Sequence, residues 1–446
     1  MPRPRLSLNG MPDRNRDAPA MSVCELTRRS LLARAAVAAC AAMYVRPALS
    51  QGVAGRVVVI GGGFAGTTGA RTLKRLDPRL SVTLVEPNET FTACPFSNEV
   101  IAGLRNLRDQ EFTYDKVGDD GIEVARVAAT GIDPHARSIT LANSARLPYD
   151  RLILAPGIGF SWDAVPGYNE AAAERMPHAW KAGPQTDLLR RQLASMEDGG
   201  LVAVAAPTNP YRCPPGPYER ASLIAYYLKT KKPRSKVLVL DAKDAFSKQK
   251  LFQQAWQKLY PGLLEWVSLS SGGKVTSVDP AAMTVTTDFQ SYKPAVANII
   301  PAQKAGRIAE AAGVVDRTGW CPIDPTTFES RLQPNIHVIG DAAIAGAMPK
   351  SAFAANAEAK VCAAAVAALL AGAAPVSPKL INTCYSLVAP DYGISIAGVY
   401  RPDNGQLVEV AGAGGVSPLD APASTRVAEA SIANGWFRTL TAEVFG

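Results

Sequence analysis

Short β-branched runs alternate along the chain with longer stretches in which apolar residues recur at helical spacing. Arg56 to Ile60 is a strand-type run, followed by Gly61-Gly62-Gly63-Phe64-Ala65-Gly66, a helical stretch through about Leu76, and a second strand over Ser81 to Glu86. Strand, glycine turn, helix, strand is the opening of a parallel doubly wound sheet. A second α/β unit begins near Gln185 with a helical pattern. It continues with Leu201 to Ala206 as a strand, a proline-rich loop, a helix from about Tyr218 to Lys231, and Lys236 to Asp241 as another strand. Asn298 to Pro301 and Ile336 to Ile339 read as strands returning to the first domain, and Ala352 to Leu370 as an alanine-rich helix. After Ala374 the chain turns irregular, which predicts a small third domain or interface segment. The fold class is therefore α/β, with two dinucleotide-binding-type doubly wound domains plus a smaller C-terminal interface domain. The expected boundaries are 55–184 with 292–372, then 185–291, then 373–446.

Length and composition agree with several domains: 446 residues, 47% hydrophobic, exceed one ordinary domain and exclude global disorder. The net charge of +8 changes the picture less than it suggests. Residues 1–50 hold eight Lys/Arg against three Asp/Glu, which leaves +3 for the remainder, and that is no nucleic-acid footprint. Within this basic beginning, Thr27-Arg28-Arg29-Ser30-Leu31-Leu32 precedes an alanine-rich run through Val45 and resembles a twin-arginine export signal. Arg34 interrupts the run, which falls short of the roughly 20 apolar residues of a membrane span. No transmembrane segment is expected, and Ala48-Leu49-Ser50 offers a cleavage site just before Gln51. The expected location is periplasmic; an amphipathic N-terminal helix that stays attached is the alternative. Cys24 and Cys40 would leave with the leader. The five that remain, Cys94, Cys213, Cys321, Cys362 and Cys384, are odd in number, so at least one is free or bonded to something other than sulfur.

The glycine motif gains weight from its surroundings, because Glu86 follows the next strand, twenty residues beyond Gly66. Gly61 permits the tight turn, Gly63 a close backbone approach to a pyrophosphate, and Gly66 close helix–strand packing; the helix N-terminus then faces the phosphates. Glu86 would accept hydrogen bonds from ribose hydroxyls. Tyr149 to Gly157 (Tyr-Asp-Arg-Leu-Ile-Leu-Ala-Pro-Gly) and Asn335 to Ala342 (Asn-Ile-His-Val-Ile-Gly-Asp-Ala) are similar to segments of glutathione reductase-like flavoproteins. That likeness favours FAD and adds Gly157, Gly340 and Asp341 to the cofactor site, with Asp341 as a helix N-cap the plainer alternative. In the second unit the strand Leu201 to Ala206 runs into Pro207-Thr208-Asn209-Pro210. Prolines lack the amide donors of a phosphate cradle, so NAD(P)H is not expected. No residues are assigned to a metal.

A closer resemblance rests on Phe91-Thr92-Ala93-Cys94-Pro95-Phe96-Ser97-Asn98-Glu99-Val100, on Tyr211 to Arg220 (Tyr-Arg-Cys-Pro-Pro-Gly-Pro-Tyr-Glu-Arg), and on Asn382-Thr383-Cys384-Tyr385-Ser386. These blocks look like the flavoprotein subunit of flavocytochrome c sulfide dehydrogenase, over about Arg56 to the C-terminus. The resemblance implies FAD held covalently through Cys94, a redox-active disulfide of Cys213 with Cys384, and Glu219 as a proton-handling acid. The residues themselves are compatible with this. Sulfide can attack a disulfide, giving a persulfide and a leaving thiolate, and two electrons can then pass to FAD. Pro217 suits the first position of a helix, which would set Cys213 before a helix N-terminus where a thiolate is favoured. Glu219 falls in the first turn, where it could also merely complement the helix dipole, and a structural disulfide is the plainer reading of the cysteine pair. Cys321 and Cys362 read as small buried hydrophobes. The chain has no Cys-x-x-Cys-His haem attachment, so the resemblance places the haem on a c-type cytochrome partner. Trp436 matches an aromatic near the flavin in that family. Two other readings stay open: a sulfide:quinone reductase, against which Val427 to Phe445 is only modestly amphipathic, and an accessory flavoprotein of a sulfur-oxidation complex.

Overall fold

The computed structural model describes residues 54–446; the twin-arginine segment, its cleavage site, Cys24 and Cys40 lie outside the described residues. The first domain opens with β1 (Arg56–Ile60), α1 (Phe64–Leu76) and β2 (Ser81–Val85), and adds β3 (Glu123–Ala125) and β4 (Arg151–Leu154). The second holds α2 (Pro184–Ser195), β5 (Leu201–Ala206), α3 (Gly216–Lys231), β6 (Lys236–Asp241), α4 (Gln249–Leu259), β7 (Leu264–Val267) and β8 (Val296–Ile299). There follow β9 (Ile336–Val338), α5 (Ala352–Leu370), β10 (Leu380–Ala389), β11 (Tyr392–Asp403), β12 (Gln406–Glu409) and α6 (Ala423–Phe445).

Two parallel sheets carry the architecture. The first runs β9-β4-β1-β2-β3 and the second β7-β6-β5-β8, each pairing parallel. Strands covered on both faces are apolar throughout rather than alternating. Val57, Val59, Leu152, Ile153 and Leu154 are fully buried, as are Val202, Ala203 and Val204 in the second sheet. One hydrophobic core links the two domains.

Two expectations are corrected. The segment expected to return to the first domain at Asn298 to Pro301 is instead β8, which pairs with β5 in the second sheet, Val202 opposite Val296 and Ala205 opposite Ile299. The return comes one strand later, where Gln303–Ala305 pairs antiparallel with Ile158–Phe160. An apolar run buried on both faces fits either sheet equally well, so its composition does not choose between them. The segment after Ala374 is not irregular: β10 and β11 form a long antiparallel hairpin extended by β12, and α6 packs across it.

α5 is long and apolar enough to cross a membrane by length and composition, with a mean hydropathy of 1.5. Its contacts are those of a core helix. Asn356 donates to Thr68 Oγ1 of α1 at 3.0 Å, and Glu358 accepts the Gly340 N–H at 2.6 Å.

The tightest joint of the first domain is at Gly66 in α1. A Cβ built there would stand 1.9 Å from the Gly61 carbonyl oxygen and 3.2 Å from Ala155 Cβ, both fixed by β1 and β4. No side-chain rearrangement relieves a backbone clash of that kind. Gly66→Ala is expected to lower stability by at least ~2 kcal/mol, in the range of substitutions that force packed elements apart. Urea unfolding followed by circular dichroism checks this; an unchanged midpoint would show that α1 can lift from the sheet.

Candidate active site

The carboxyl ends of the first sheet open onto a large cavity that reaches across to the start of α3 and to β10. At one end stand Gly63, Phe64 and Ala65, at the other Cys213, Glu219 and Cys384. The glycine turn is built as expected. Gly61 has φ +103°, and a Cβ there would meet the Ala155 carbonyl at 2.3 Å. Gly63 has no side-chain capping bond, and the first turn of α1 contains no acid, so its positive end is free to receive an anion. Glu86 lies behind this turn: Oε2 accepts the Gly62 N–H at 2.8 Å, and Oε1 accepts the Asn88 N–H and Nδ2 at 2.9 and 2.6 Å. Oε2 keeps acceptor capacity for a ribose hydroxyl.

Gly157 and Gly340, both at positive φ, line the cavity with Asp341. Asp341 caps no α-helix. Ser351 is the N-cap of α5, its Oγ accepting the Ala354 N–H at 3.0 Å, whereas Asp341 faces Arg212, 3.6 Å from Nη1. The buried Trp180 Nε1 has no protein partner, although the ring lines the cavity. An anion-ready helix end, an open glycine backbone and an orphaned donor in one cavity, with an acid behind the glycine turn, fit a flavin dinucleotide.

Cys94 follows a short strand, Thr90–Thr92, and its thiol lies 3.7 Å from the Trp180 carbonyl oxygen, which also accepts a hydrogen bond from Arg212. Cys213 and Cys384, from different domains, line the same cavity, and both thiols are free in the structure. Cys213 lies just before a helix N-terminus, as expected, with its sulfur against Gly216 of the first turn. α3 begins at Gly216 with Pro217 second, and Cys213 sits in a left-handed turn at φ +57°. Its N–H donates to the Lys350 carbonyl and its own carbonyl accepts the Gly216 N–H, each at 2.8 Å. Burial pushes the Cys213 thiol up, reinforced by Glu219 and Cys384 and opposed by Lys248 and Arg212.

Glu219 lies in the first turn of α3, as expected, and reaches out of it. Oε1 accepts the Leu387 N–H of β10 at 2.8 Å, and Oε2 accepts Asn98 Nδ2 at 3.0 Å. Burial raises its carboxyl above the ordinary range, against these hydrogen bonds and the charge of Lys248. A buried carboxyl so held is placed to handle a proton on a neighbouring sulfur. Cys321 and Cys362 are fully buried in the core, and Trp436 lines the cavity stacked on Phe353 at 6.2 Å.

Several residues around the pair carried no separate signal. Arg212 and Arg220 stand within a block read for its cysteine and glutamate. Arg220 is 2% exposed and donates to Asn98 Oδ1, Asn298 Oδ1 and the His178 and Ala179 carbonyls, with its guanidinium 4.9 Å over Trp180. Lys248, in a lysine-rich stretch that reads as a solvated loop, is buried against β10.

The second domain encloses the acid at the position equivalent to Glu86. Asp241, at the end of β6, is fully buried and accepts from Tyr218 OH at 2.6 Å, Trp266 Nε1 at 2.9 Å and Lys243 Nζ at 2.6 Å. A ribose has no route to this carboxylate.

Two parallel dinucleotide-type sheets with this cavity define a flavin-binding oxidoreductase of the disulfide-reductase type, and residues 55–194 match the pyridine nucleotide-disulphide oxidoreductase family. Residues 186–301 match the central region of the sulfide dehydrogenase (flavocytochrome c) flavoprotein chain, and residues 376–445 the flavin-binding region of flavocytochrome c sulphide dehydrogenase. The chain belongs to the family of flavocytochrome c sulfide dehydrogenase flavoprotein chains. It is 62% identical over 45 residues to such a chain from Chlorobaculum thiosulfatiphilum, covering 10% of this chain and 94% of that sequence. It is 24% identical over 295 residues to the mitochondrial sulfide:quinone oxidoreductase of Mus musculus, covering 64% of this chain and 65% of the mouse protein. In fold it is similar to the sulfide:quinone oxidoreductase of Aquifex aeolicus, with a TM-score of 0.67, 16% identity, and 87% and 92% of the two chains covered.

Replacing Arg220 by Met would remove the donor of the Ala179 carbonyl and of the Asn98 and Asn298 amide oxygens, while the His178 carbonyl would keep Asn298 Nδ2. A loss of about 3 kcal/mol in unfolding free energy is expected, as for other broken buried polar networks. Denaturant titration of the Arg220→Met protein tests it, and a loss below about 1 kcal/mol would mean that water replaces the guanidinium.

Proposed function

We propose that the chain oxidises sulfide in the periplasm with FAD held covalently through Cys94, and passes the electrons to a c-type cytochrome partner. The observation that carries the reading is the convergence of Cys94, Cys213, Cys384 and Glu219 on the cavity that fits the flavin. With Cys213 and Cys384 joined as a disulfide, hydrosulfide attacks one sulfur. A sulfur–sulfur bond to the substrate forms, the cysteine–cysteine bond breaks, and the other cysteine leaves with the electron pair as a thiolate. Bound FAD supplies the two-electron acceptor. Glu219 takes the proton released by the substrate sulfur, its carboxylate held in place by Leu387 and Asn98. Gly63 and the first turn of α1 hold the pyrophosphate, and Gly340 with Asp341 the flavin half. Periplasmic export rests on the twin arginines Arg28 and Arg29 ahead of the alanine-rich run.

A quinone as acceptor is the second reading, favoured by the fold shared with the Aquifex aeolicus protein. The two differ in what reoxidises the reduced protein.

Acid precipitation followed by anaerobic titration tests the proposal. Flavin is expected to stay in the washed pellet of the wild-type protein and to appear in the supernatant of Cys94→Ser. Sulfide is expected to bleach the native flavin, and cytochrome c to restore its colour without added quinone. Cys213→Ser and Cys384→Ser should retain flavin but bleach at least ~100-fold more slowly, the scale of losing a nucleophilic partner. Fast bleaching in both variants would remove the cysteine pair from the reaction; reoxidation by quinone alone would replace the cytochrome.

A further inference from the structure

Behind the cysteine pair lies a buried cation that nothing at rest neutralises. Lys248 immediately precedes α4 in a left-handed conformation, φ +61°, which turns its side chain inward to the C-terminal hairpin, and the residue is 8% exposed. Its ammonium donates to the Cys384 carbonyl and Ser386 Oγ, each at 2.8 Å, and approaches the Ile394 carbonyl at 3.4 Å. All three acceptors are neutral, and among the described residues no carboxylate oxygen lies within 4 Å of it. A buried ammonium hydrogen-bonded only to dipoles is costly unless an anion stands nearby.

The ionisable groups facing Lys248 are Cys384, Glu219 and Cys213 around the cavity and Glu429 of α6, with Cys384 exerting the strongest pull. Glu429 is committed elsewhere: it accepts from Ser395 and Ser417 and pairs with Arg426 at 3.1 Å. Glu219 is tied by both its oxygens to the Leu387 N–H and to Asn98 Nδ2. The anion that completes the site is therefore a thiolate, and the two cysteines are not equivalent as its carrier. Asn382 Nδ2 donates to Cys384 Sγ at 3.4 Å, and that amide is held the right way round because its Oδ1 accepts from Ser351 Oγ at 2.6 Å. Cys213 has no such donor to its sulfur among the described residues, and burial works against its ionisation.

We infer that Lys248 is the counter-cation that, with the amide of Asn382, makes Cys384 the leaving thiolate and directs hydrosulfide to Cys213. The inference rests on the sulfide reaction proposed above and assigns its direction. The substrate sulfur bonds to Cys213 Sγ, the Cys213–Cys384 bond breaks, and the electron pair departs on Cys384 Sγ, the residue whose carbonyl the ammonium holds. The persulfide is thus carried by Cys213. Lys248 is a positioning residue: it touches neither sulfur directly, and acts through charge and through the backbone of Cys384.

Burial lowers the Lys248 ammonium to about 8, with Cys384 the largest opposing influence. The cation is therefore present at neutral pH and is lost as pH rises past about 8, where ordinary thiols begin to ionise unaided. The test uses the FAD-loaded protein, reduced anaerobically with a phosphine in the absence of sulfide and pulsed with iodoacetamide from pH 5.5 to 9.5, with Cys213 and Cys384 quantified separately by peptide mass spectrometry. In the wild-type protein Cys384 should be modified well ahead of Cys213 at pH 7. Lys248→Met should slow Cys384 at pH 7 by at least ~10-fold, the loss of thiolate for a shift of one pH unit, while the two proteins converge near pH 9.5. Lys248→Arg should restore most of the rate. A merely structural lysine would instead alter both cysteines at every pH, with no rescue by Arg. Superimposable Cys384 profiles in wild type and Lys248→Met would overturn the inference, as would faster modification of Cys213 in the wild type or none of Cys384 below pH 8. No sulfide enters this measurement, so failure of sulfide bleaching in the wild-type protein would strike the proposed function separately.

Discussion

The hydrogen bond from the Leu387 amide to Glu219 joins the first turn of α3 to β10 near its C-terminal end, and the site depends on that joint. Cys213 enters from the loop before α3 and Cys384 from β10, and neither domain alone would bring them to one cavity. Glu219 is the pin between them, with Asn98 on its other oxygen and Arg220 orienting Asn98 in turn. The same chain of contacts reaches the segment bearing Cys94, two helical turns of sequence away from Asn98 at most. One buried polar network thus sets the positions of the thiol assigned to the flavin and of both thiols assigned to sulfur. Such a network rigidifies only when each member is satisfied. Here each carboxylate oxygen, each amide and each guanidinium nitrogen named has a partner within ordinary hydrogen-bond distance.

Burial also imposes a constraint on charge. It raises the Cys213 thiol and the Glu219 carboxyl and lowers the Lys248 ammonium, so these three are pushed toward their neutral forms, whereas Arg212 beside Asp341 is held charged. Charge can then appear only in compensated pairs. Asp341 answers Arg212 across 3.6 Å, and Arg220 is met by four oxygen dipoles. Lys248, with no carboxylate within 4 Å among the described residues, suits the proposed cleavage, in which the negative charge that arrives on hydrosulfide moves to a cysteine sulfur.

The two parallel sheets were legible because each depends on local pattern: β-branched runs at β1, β5 and β6, and a glycine turn whose steric need is visible at Gly61 and Gly66. The strand β8 was legible as a strand but not as a member of the second sheet, since pairing partners leave no mark on a run buried on both faces. The C-terminal hairpin was hidden for a different reason. In β10 the inward positions include Asn382, Cys384 and Ser386, whereas Ile381 is 52% exposed, so the alternation of polar and apolar residues is inverted where the strand serves the site. Lys248 was illegible for the same reason: a lysine among Lys243, Lys248 and Lys250 reads as solvated, and only the left-handed turn before α4 carries it inward. The position of Cys213 ahead of the α3 N-terminus was legible from Pro217, whereas the burial that opposes a thiolate there was not.

The second domain shows how a dinucleotide-type fold can serve the site through its first turn and the helix that follows. Its sheet, its helix α3 and the acid at the end of β6 all remain. Prolines replace the amide donors of the first turn, and Asp241 is closed off by Tyr218, Trp266 and Lys243. Phe246 stacks on Tyr218 with ring centres 3.6 Å apart and fills the space above. What would be a phosphate-binding helix end in the first domain becomes, in α3, the helix that carries Glu219 toward the C-terminal hairpin. The same geometric property serves both cases. The carboxyl edge of a parallel sheet and the helix that leaves it form a fixed crevice, and its occupant is decided by the few residues at the turn: glycines admit a nucleotide, whereas Tyr211, Cys213 and the prolines around them admit β10.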